Sequence, residues 1–207
     1  LSTPRNIAVA PDGSIYVADS GNNRVQQFTA DGAFVREWGS AGTGPGQFNE
    51  PWALVADDSY VYVADTWNHR IQKFTREGEF VGTFGTSGAP AGDGVDQGLG
   101  LFFGPRDIVF LNDTELAITD TGNHRIQIMD TDGNFLQQFG GLGSLPGQFN
   151  EPVGLAVGND GTLLVADTWN GRIQQFDTNF QPLTEFRVSA WYGQSINNKP
   201  YLATDSQ

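Results

Sequence analysis

Apolar residues in this chain gather in short runs, some continuous and some alternating, each closed by a turn signal. Runs of this length and period predict β-strands rather than helices. One kind opens on proline: Pro4-Arg5-Asn6-Ile7-Ala8-Val9, Pro51-Trp52-Ala53-Leu54, Pro105-Arg106-Asp107-Ile108 and Pro152-Val153-Gly154-Leu155-Ala156-Val157. A turn such as Pro11-Asp12-Gly13 or Asn159-Asp160-Gly161 follows, supplying the positive-φ residue of a tight hairpin. The second kind is Ile15-Tyr16-Val17-Ala18, matched by Val61-Tyr62-Val63-Ala64, Leu116-Ala117-Ile118-Thr119 and Leu163-Leu164-Val165-Ala166. The third alternates as Arg-Ile-Gln-x-Phe and ends at Phe28, Phe74, Met129 and Phe176. After a second turn (Asp31-Gly32, Glu77-Gly78, Asp132-Gly133), a fourth run ends at Trp38-Gly39, Phe84-Gly85 and Phe139-Gly140. The pattern predicts four strands per repeat, here called A to D.

The opening prolines are separated by 47, 54 and 47 residues. Four strands in a repeat of this length predict β-propeller blades. The expected fold is all-β, with four complete four-stranded antiparallel blades at about 1–50, 51–104, 105–151 and 152–198 in one domain. The first strand of a fifth blade is expected at 199–207, beginning with Lys199-Pro200-Tyr201-Leu202. In the fourth blade Phe186-Arg187-Val188 lacks the Phe-Gly ending, so its strand D is the least regular prediction. Between strands B and C lies the most constant element, Asp-x-x-Asn-x-Arg, at Asp19/Asn22/Arg24, Asp65/Asn68/Arg70, Asp120/Asn123/Arg125 and Asp167/Asn170/Arg172. A feature repeated once per blade reads as structural. The Asp is expected to cap the turn through backbone N–H groups, and the Arg to bind blades together with its forked donors.

Asp-Thr-x-Asn-His-Arg-Ile-Gln at 65–72 and 120–127, with Pro-Gly-Gln-Phe-Asn-Glu-Pro at 45–51 and 146–152, resembles the NHL repeat over essentially the whole chain. The resemblance implies a propeller but not one function, because the family includes enzymes, RNA binders, sensor domains and scaffolds. Family propellers usually close with six blades. Four and a fraction repeats therefore imply a piece of a longer protein, a ring completed by another chain or a smaller closed ring; a longer parent, which the opening on Leu1 suggests, or a homo-oligomer joined through blade ends is expected over a tight four-bladed ring.

In an up-and-down blade the A–B and C–D turns share one end. The B–C turns and the D-to-A connections share the other. The second end holds the long loops, at about 40–50, 86–104, 140–151 and 187–198, and is the expected binding face. Candidate ligand-binding residues there are Trp67 and Trp169, at equivalent turn positions where the other repeats have Gly21 and Gly122. Exposed aromatic side chains suit protein or carbohydrate ligands; the alternative is packing on the neighbouring inter-blade loop. Trp52, Arg5 and Arg106 directly follow their opening prolines, near the mouth of the expected channel. The two arginines would either recognise an anion or pair with local carboxylates. His69 and His124 complete the candidate set. Phe48, Phe102 and Phe149 of the inter-blade straps are expected to plug the joints between blades.

Composition narrows the partner. Eleven Lys and Arg against 24 Asp and Glu give a formal net charge of −13, the wrong sign for a nucleic-acid binder. No stretch is long and apolar enough to insert in a membrane. There is no Cys, which leaves no disulfide, thiolate ligand or Cys nucleophile. NHL lyases resemble a zinc enzyme whose ligand histidines follow the opening prolines. Here those places hold Arg5, Trp52, Arg106 and Val153, so no cofactor, metal site or catalytic residue is expected. Asp130-Thr131-Asp132-Gly133 has the start of a calcium loop but Phe139 where its glutamate belongs, and fits a C–D turn better. The expectation is therefore a protein- or carbohydrate-binding scaffold, with a propeller-type lyase or hydrolase as the alternative. By resemblance to bacterial NHL proteins it would sit outside the membrane, extracellular or periplasmic, as part of a membrane-anchored protein.

Overall fold

The computed structural model describes residues 1–88, 98–191 and 202–203. Among these residues the predicted strands form four antiparallel four-stranded sheets, each in simple sequence order. Blade one is β1 (Asn6–Val9), β2 (Ile15–Asp19), β3 (Arg24–Phe28) and β4 (Phe34–Trp38). Blade two is β5 (Pro51–Ala56), β6 (Tyr60–Asp65), β7 (Arg70–Thr75) and β8 (Phe80–Phe84). A short parallel pair follows, β9 (Thr86–Ser87) with β10 (Leu101–Phe102). Blade three is β11 (Pro105–Asn112), β12 (Glu115–Asp120), β13 (Arg125–Asp130) and β14 (Phe135–Gly140). Blade four is β15 (Pro152–Val157), β16 (Leu163–Asp167), β17 (Arg172–Phe176) and β18 (Pro182–Arg187). The predicted fifth start lies outside the described residues except for Leu202 and Ala203.

The chain divides into two compact units, one of 1–88 with 100–108 and one of 89–99 with 109–207. In the first, Ala18, Val25 and Tyr16 of blade one pack with Leu54, Val63 and Phe74 of blade two, and Phe48 of the intervening strap is sealed among them. In the second, Ala117, Ile126 and Ile128 of blade three meet Leu155, Val165 and Phe176 of blade four around Phe149. Phe48 and Phe149 are thus joint plugs, as expected, and Phe102 is fully buried. Each strap is closed at its base by β-like pairing, Ala41 with Phe48 and Leu142 with Phe149. The plug also dictates a glycine. Gly140 has φ 108°, and a Cβ there would stand 2.6 Å from the Phe149 ring.

Two details of register are informative. The C–D pairing slips at the same place in all four blades, between Gln27/Phe28, Lys73/Phe74, Ile128/Met129 and Gln175/Phe176. Such a bulge raises local twist, as a propeller blade requires. The irregular strand D of blade four keeps this register: Ile173 faces Phe186 as Ile126 faces Phe139. Asp130, considered above as a calcium-loop residue, accepts the backbone N–H groups of Asp132 and Asn134 and shapes a C–D turn.

Within the first unit, Arg76 ties the two blades at the A–B/C–D end. It donates to the Tyr16 hydroxyl at 3.2 Å and forms an ion pair with Asp12. The hydrogen bond from Arg76 is the main reason the Asp12 carboxyl is pulled down to about 2. A depressed carboxyl contributes stability above its unfolded value of about 3.9 and loses it as pH falls through the folded one. Asp12→Asn is therefore expected to melt below the wild type at neutral pH. That gap should close between about pH 3.9 and pH 2, as measured by thermal midpoints across the acid range.

Candidate functional site

The end of each unit that carries the B–C turns and straps is built around one buried carboxylate per blade. In blade two, Asp65 accepts the Asn49 backbone N–H of the strap, Asn68 Nδ2, Arg70 Nε and Gln72 Nε2 at 2.7–3.0 Å. Asp167 repeats the set with Asn150, Asn170, Arg172 and Gln174. The expected cap of the turn's own N–H groups is not made: the carboxylate points to the strap instead. Burial pushes the Asp65 carboxyl upward, against the Asn49 N–H, Asn68 and Arg70 that favour its ionised form. Arg70 carries the connection onward, donating to the carbonyls of Thr43, Gly44 and Gln47, and Arg172 does so to Leu145 and Gln148. The Arg thus fastens the strap, and through it the joint.

Past the Asp, a single 3-10 turn ends on a residue in the left-handed region: Asn23, His69 and His124, with φ 54–57°. Their side chains share one task. Asn23 Oδ1 accepts from Glu50 N, His69 Nδ1 from Gly104 N and His124 Nδ1 from Glu151 N, at 2.8–3.0 Å. The two candidate histidines therefore hold the residue before the next blade's proline, with the ring proton on Nε2. His69 also stacks on Phe103, with ring centroids 5.0 Å apart. Burial lowers the His124 pKa, opposed by Glu151, Asp120 and Asp167, which leaves the imidazole neutral. Blade four places Gly171 at this position, φ 64°. Among the described residues no three His, Cys, Asp or Glu side chains gather as a metal site requires.

The two turn tryptophans remain substantially exposed, Trp67 at 39% and Trp169 at 45%. Each is held by two hydrogen bonds to its strap. Trp67 donates its backbone N–H to Asn49 O and its Nε1–H to Glu50 Oε2, at 3.2 and 3.3 Å. Trp169 does the same with Asn150 O and Glu151 Oε2, at 3.1 and 2.9 Å. The indoles thus touch the strap along one edge and leave much of their surface open. Glu50 and Glu151 sit at positive φ, 48° and 50°, an uncommon backbone for Glu that aims each carboxylate at its indole. They were missed by reading the sequence.

In the first unit the remaining candidates form a stack. The guanidinium carbons of Arg5 and Arg106 each lie 4.3 Å from the Trp52 ring centroid, and Arg106 also lies 5.7 Å from Trp67. Cation and ring alternate as Arg5, Trp52, Arg106, Trp67, running from buried Trp52 to exposed Trp67. Such contacts strengthen when desolvated. In the second unit the matching position after the proline is buried Val153.

These features can be set beside known proteins. The NHL repeat model matches residues 1–28, 48–74, 102–129 and 149–176, more than half of the chain. The chain belongs to the NHL repeat family. A 52-residue stretch is 44% identical to the RING finger protein nhl-1 of Caenorhabditis elegans, covering 25% of this chain and 5% of that protein. Among solved structures, the NHL array resembles streptogramin B lyase (20% identity, TM-score 0.66, 91% of this chain and 55% of that one). It also resembles U3-55K (14%, 0.68, 89% and 51%) and a chain of the nidogen/laminin complex (18%, 0.65, 92% and 66%). At these identities the likeness shows the fold. The array spans little more than half of the lyase and U3-55K chains.

Proposed function

We propose that this NHL array is a protein-binding module whose contact surface is the strap and B–C-turn end of its units. The observation that carries the reading is the pair Trp67 and Trp169, exposed at equivalent positions and each fixed through Nε1 to a strap glutamate. Rigid, pre-oriented Trp beside Arg is the chemistry of interface hot spots, because little side-chain freedom remains to be lost on binding. The acidic charge turns the reading from phosphates toward proteins. A lyase or hydrolase reading would rest on the streptogramin B lyase likeness, which carries the fold alone.

The test is a displayed library of random peptides selected on the whole chain. Selected peptides are expected to bind the Trp67→Ala/Trp169→Ala variant at least about tenfold more weakly, or about 1.4 kcal/mol, with its thermal midpoint little changed. Peptides that keep full affinity for the variant would overturn the proposal. So would a selection that yields no binders while a glycan array shows Trp-dependent binding.

A further inference from the structure

Each described blade closes its A–B turn in the same way, and blade three does so with a different residue. In blade one, Asp12 Oδ1 accepts the Ser14 backbone N–H at 2.9 Å. Asp57 does the same for Ser59 in blade two, and Asp160 for Thr162 in blade four, at 2.7 and 3.1 Å. Blade three places Asn112 there, and its Oδ1 accepts the Thr114 N–H at 2.9 Å. A side-chain oxygen two residues before the donor is all that this turn requires, and a carboxylate supplies it in the other three blades. The carboxamide adds an amide nitrogen, Nδ2, which donates to Glu115 Oε2 at 2.9 Å. Asn in place of Asp makes the turn Asn112-Asp113-Thr114. No other Asn in the chain is followed two positions on by Ser or Thr.

Asn-x-Ser/Thr with a middle residue other than proline is the acceptor sequence for N-linked glycans. All three residues are exposed, at the junction of β11 and β12. Thr114 Oγ1 donates to Asn112 Oδ1 at 3.0 Å, so the hydroxyl and the carboxamide that the acceptor sequence demands already meet. We propose that Asn112 is an acceptor for an N-linked glycan, in a chain exported from the cytosol. The donor is an oligosaccharide carried on a lipid pyrophosphate. The bond from Asn112 Nδ2 to C1 of the first sugar forms and the C1–O bond to the pyrophosphate breaks. One Nδ2 proton is lost as the lipid pyrophosphate leaves. The other stays available for Glu115, and Oδ1 keeps its place in the turn. A glycan is bulky and belongs on the surface. This turn lies at the A–B/C–D end of its blade, away from the strap and the B–C turn. The sugar therefore leaves the proposed protein-binding surface open, and the two proposals stand or fall separately.

Mass mapping of the tryptic peptide Asp107–Arg125 tests it, on the whole chain secreted from cultured eukaryotic cells and on the chain from the cells that make it naturally. Most copies of the peptide are expected to carry the mass of hexose and N-acetylhexosamine units. An amidase that cuts the Asn–sugar bond should remove that mass and leave an aspartate. Asn112→Asp, which keeps the turn that the other blades use, should abolish the modification with little change in thermal midpoint. Thr114→Ala should abolish it while sparing Asn112, and Thr114→Ser should retain it. An unmodified peptide from either source would overturn the proposal. So would a glycan that persists on the Asn112→Asp chain.

Discussion

Asp167→Ala is expected to cost about 3–5 kcal/mol of unfolding free energy, the range for removing one partner of a buried ion pair. The carboxylate is fully buried and receives Asn170, Arg172, Gln174 and the Asn150 N–H. Its deletion leaves the Arg172 guanidinium, 4% exposed, facing an empty site. Arg172 would keep Glu185 at 2.6 Å, but that carboxylate is one-third exposed and does not reach Asn170 or Gln174. The equivalent change in blade one, Asp19→Ala, should cost clearly less, because Arg24 is 26% exposed and can turn to water. Urea unfolding of both variants against the wild type measures the difference. Equal losses would mean that burial of the arginine does not set the size of the effect.

Phe149→Ala is the second large loss, again about 3–5 kcal/mol, through deleted apolar contact plus the cavity left behind. Phe149 is fully buried, with the rings of Phe139 and Phe176 at 6.0 and 5.7 Å between blades three and four. Gly140 fits against it, but a glycine has no side chain with which to refill the space. Urea unfolding of Phe149→Ala should show a lower midpoint than the wild type. A loss below about 1 kcal/mol would mean that the joint collapses around the gap and that the plug is dispensable.

Much of this architecture was legible in the sequence because it is written four times. The strands, the turns, the Asp–Asn–Arg turn and the Phe plugs all recur, and recurrence separates signal from accident. The partner set of the carboxylate was less legible. The glutamines Gln72 and Gln174 read as one polar position of an alternating strand, and only the backbone geometry brings them to Asp65 and Asp167. The histidines were visible, but their task was not: it depends on a left-handed backbone that turns Nδ1 toward the residue before the next blade. The exposed tryptophans were read correctly as turn residues, yet their anchors were overlooked. A signal was there. Trp67 and Trp169 occur where the strap ends Asn-Glu-Pro, whereas Gly122 follows a strap that ends Phe103-Gly104-Pro105. The Trp and the Glu therefore vary together between repeats, as partners do. Arg5, Trp52 and Arg106 were legible as equivalent positions after the prolines, but their stacking was not, since it joins residues of different blades.

The central claim is that the strap and B–C-turn end binds a protein partner through Trp67 and Trp169. The chain has five Trp, and each indole N–H gives its own signal in a nitrogen–proton correlation spectrum, assigned by single Trp→Phe variants. On titration with a selected peptide, the Trp67 and Trp169 signals should move while that of Trp38, in the joint between blades one and two, stays in place. Saturation with Trp67 and Trp169 unmoved would contradict the account.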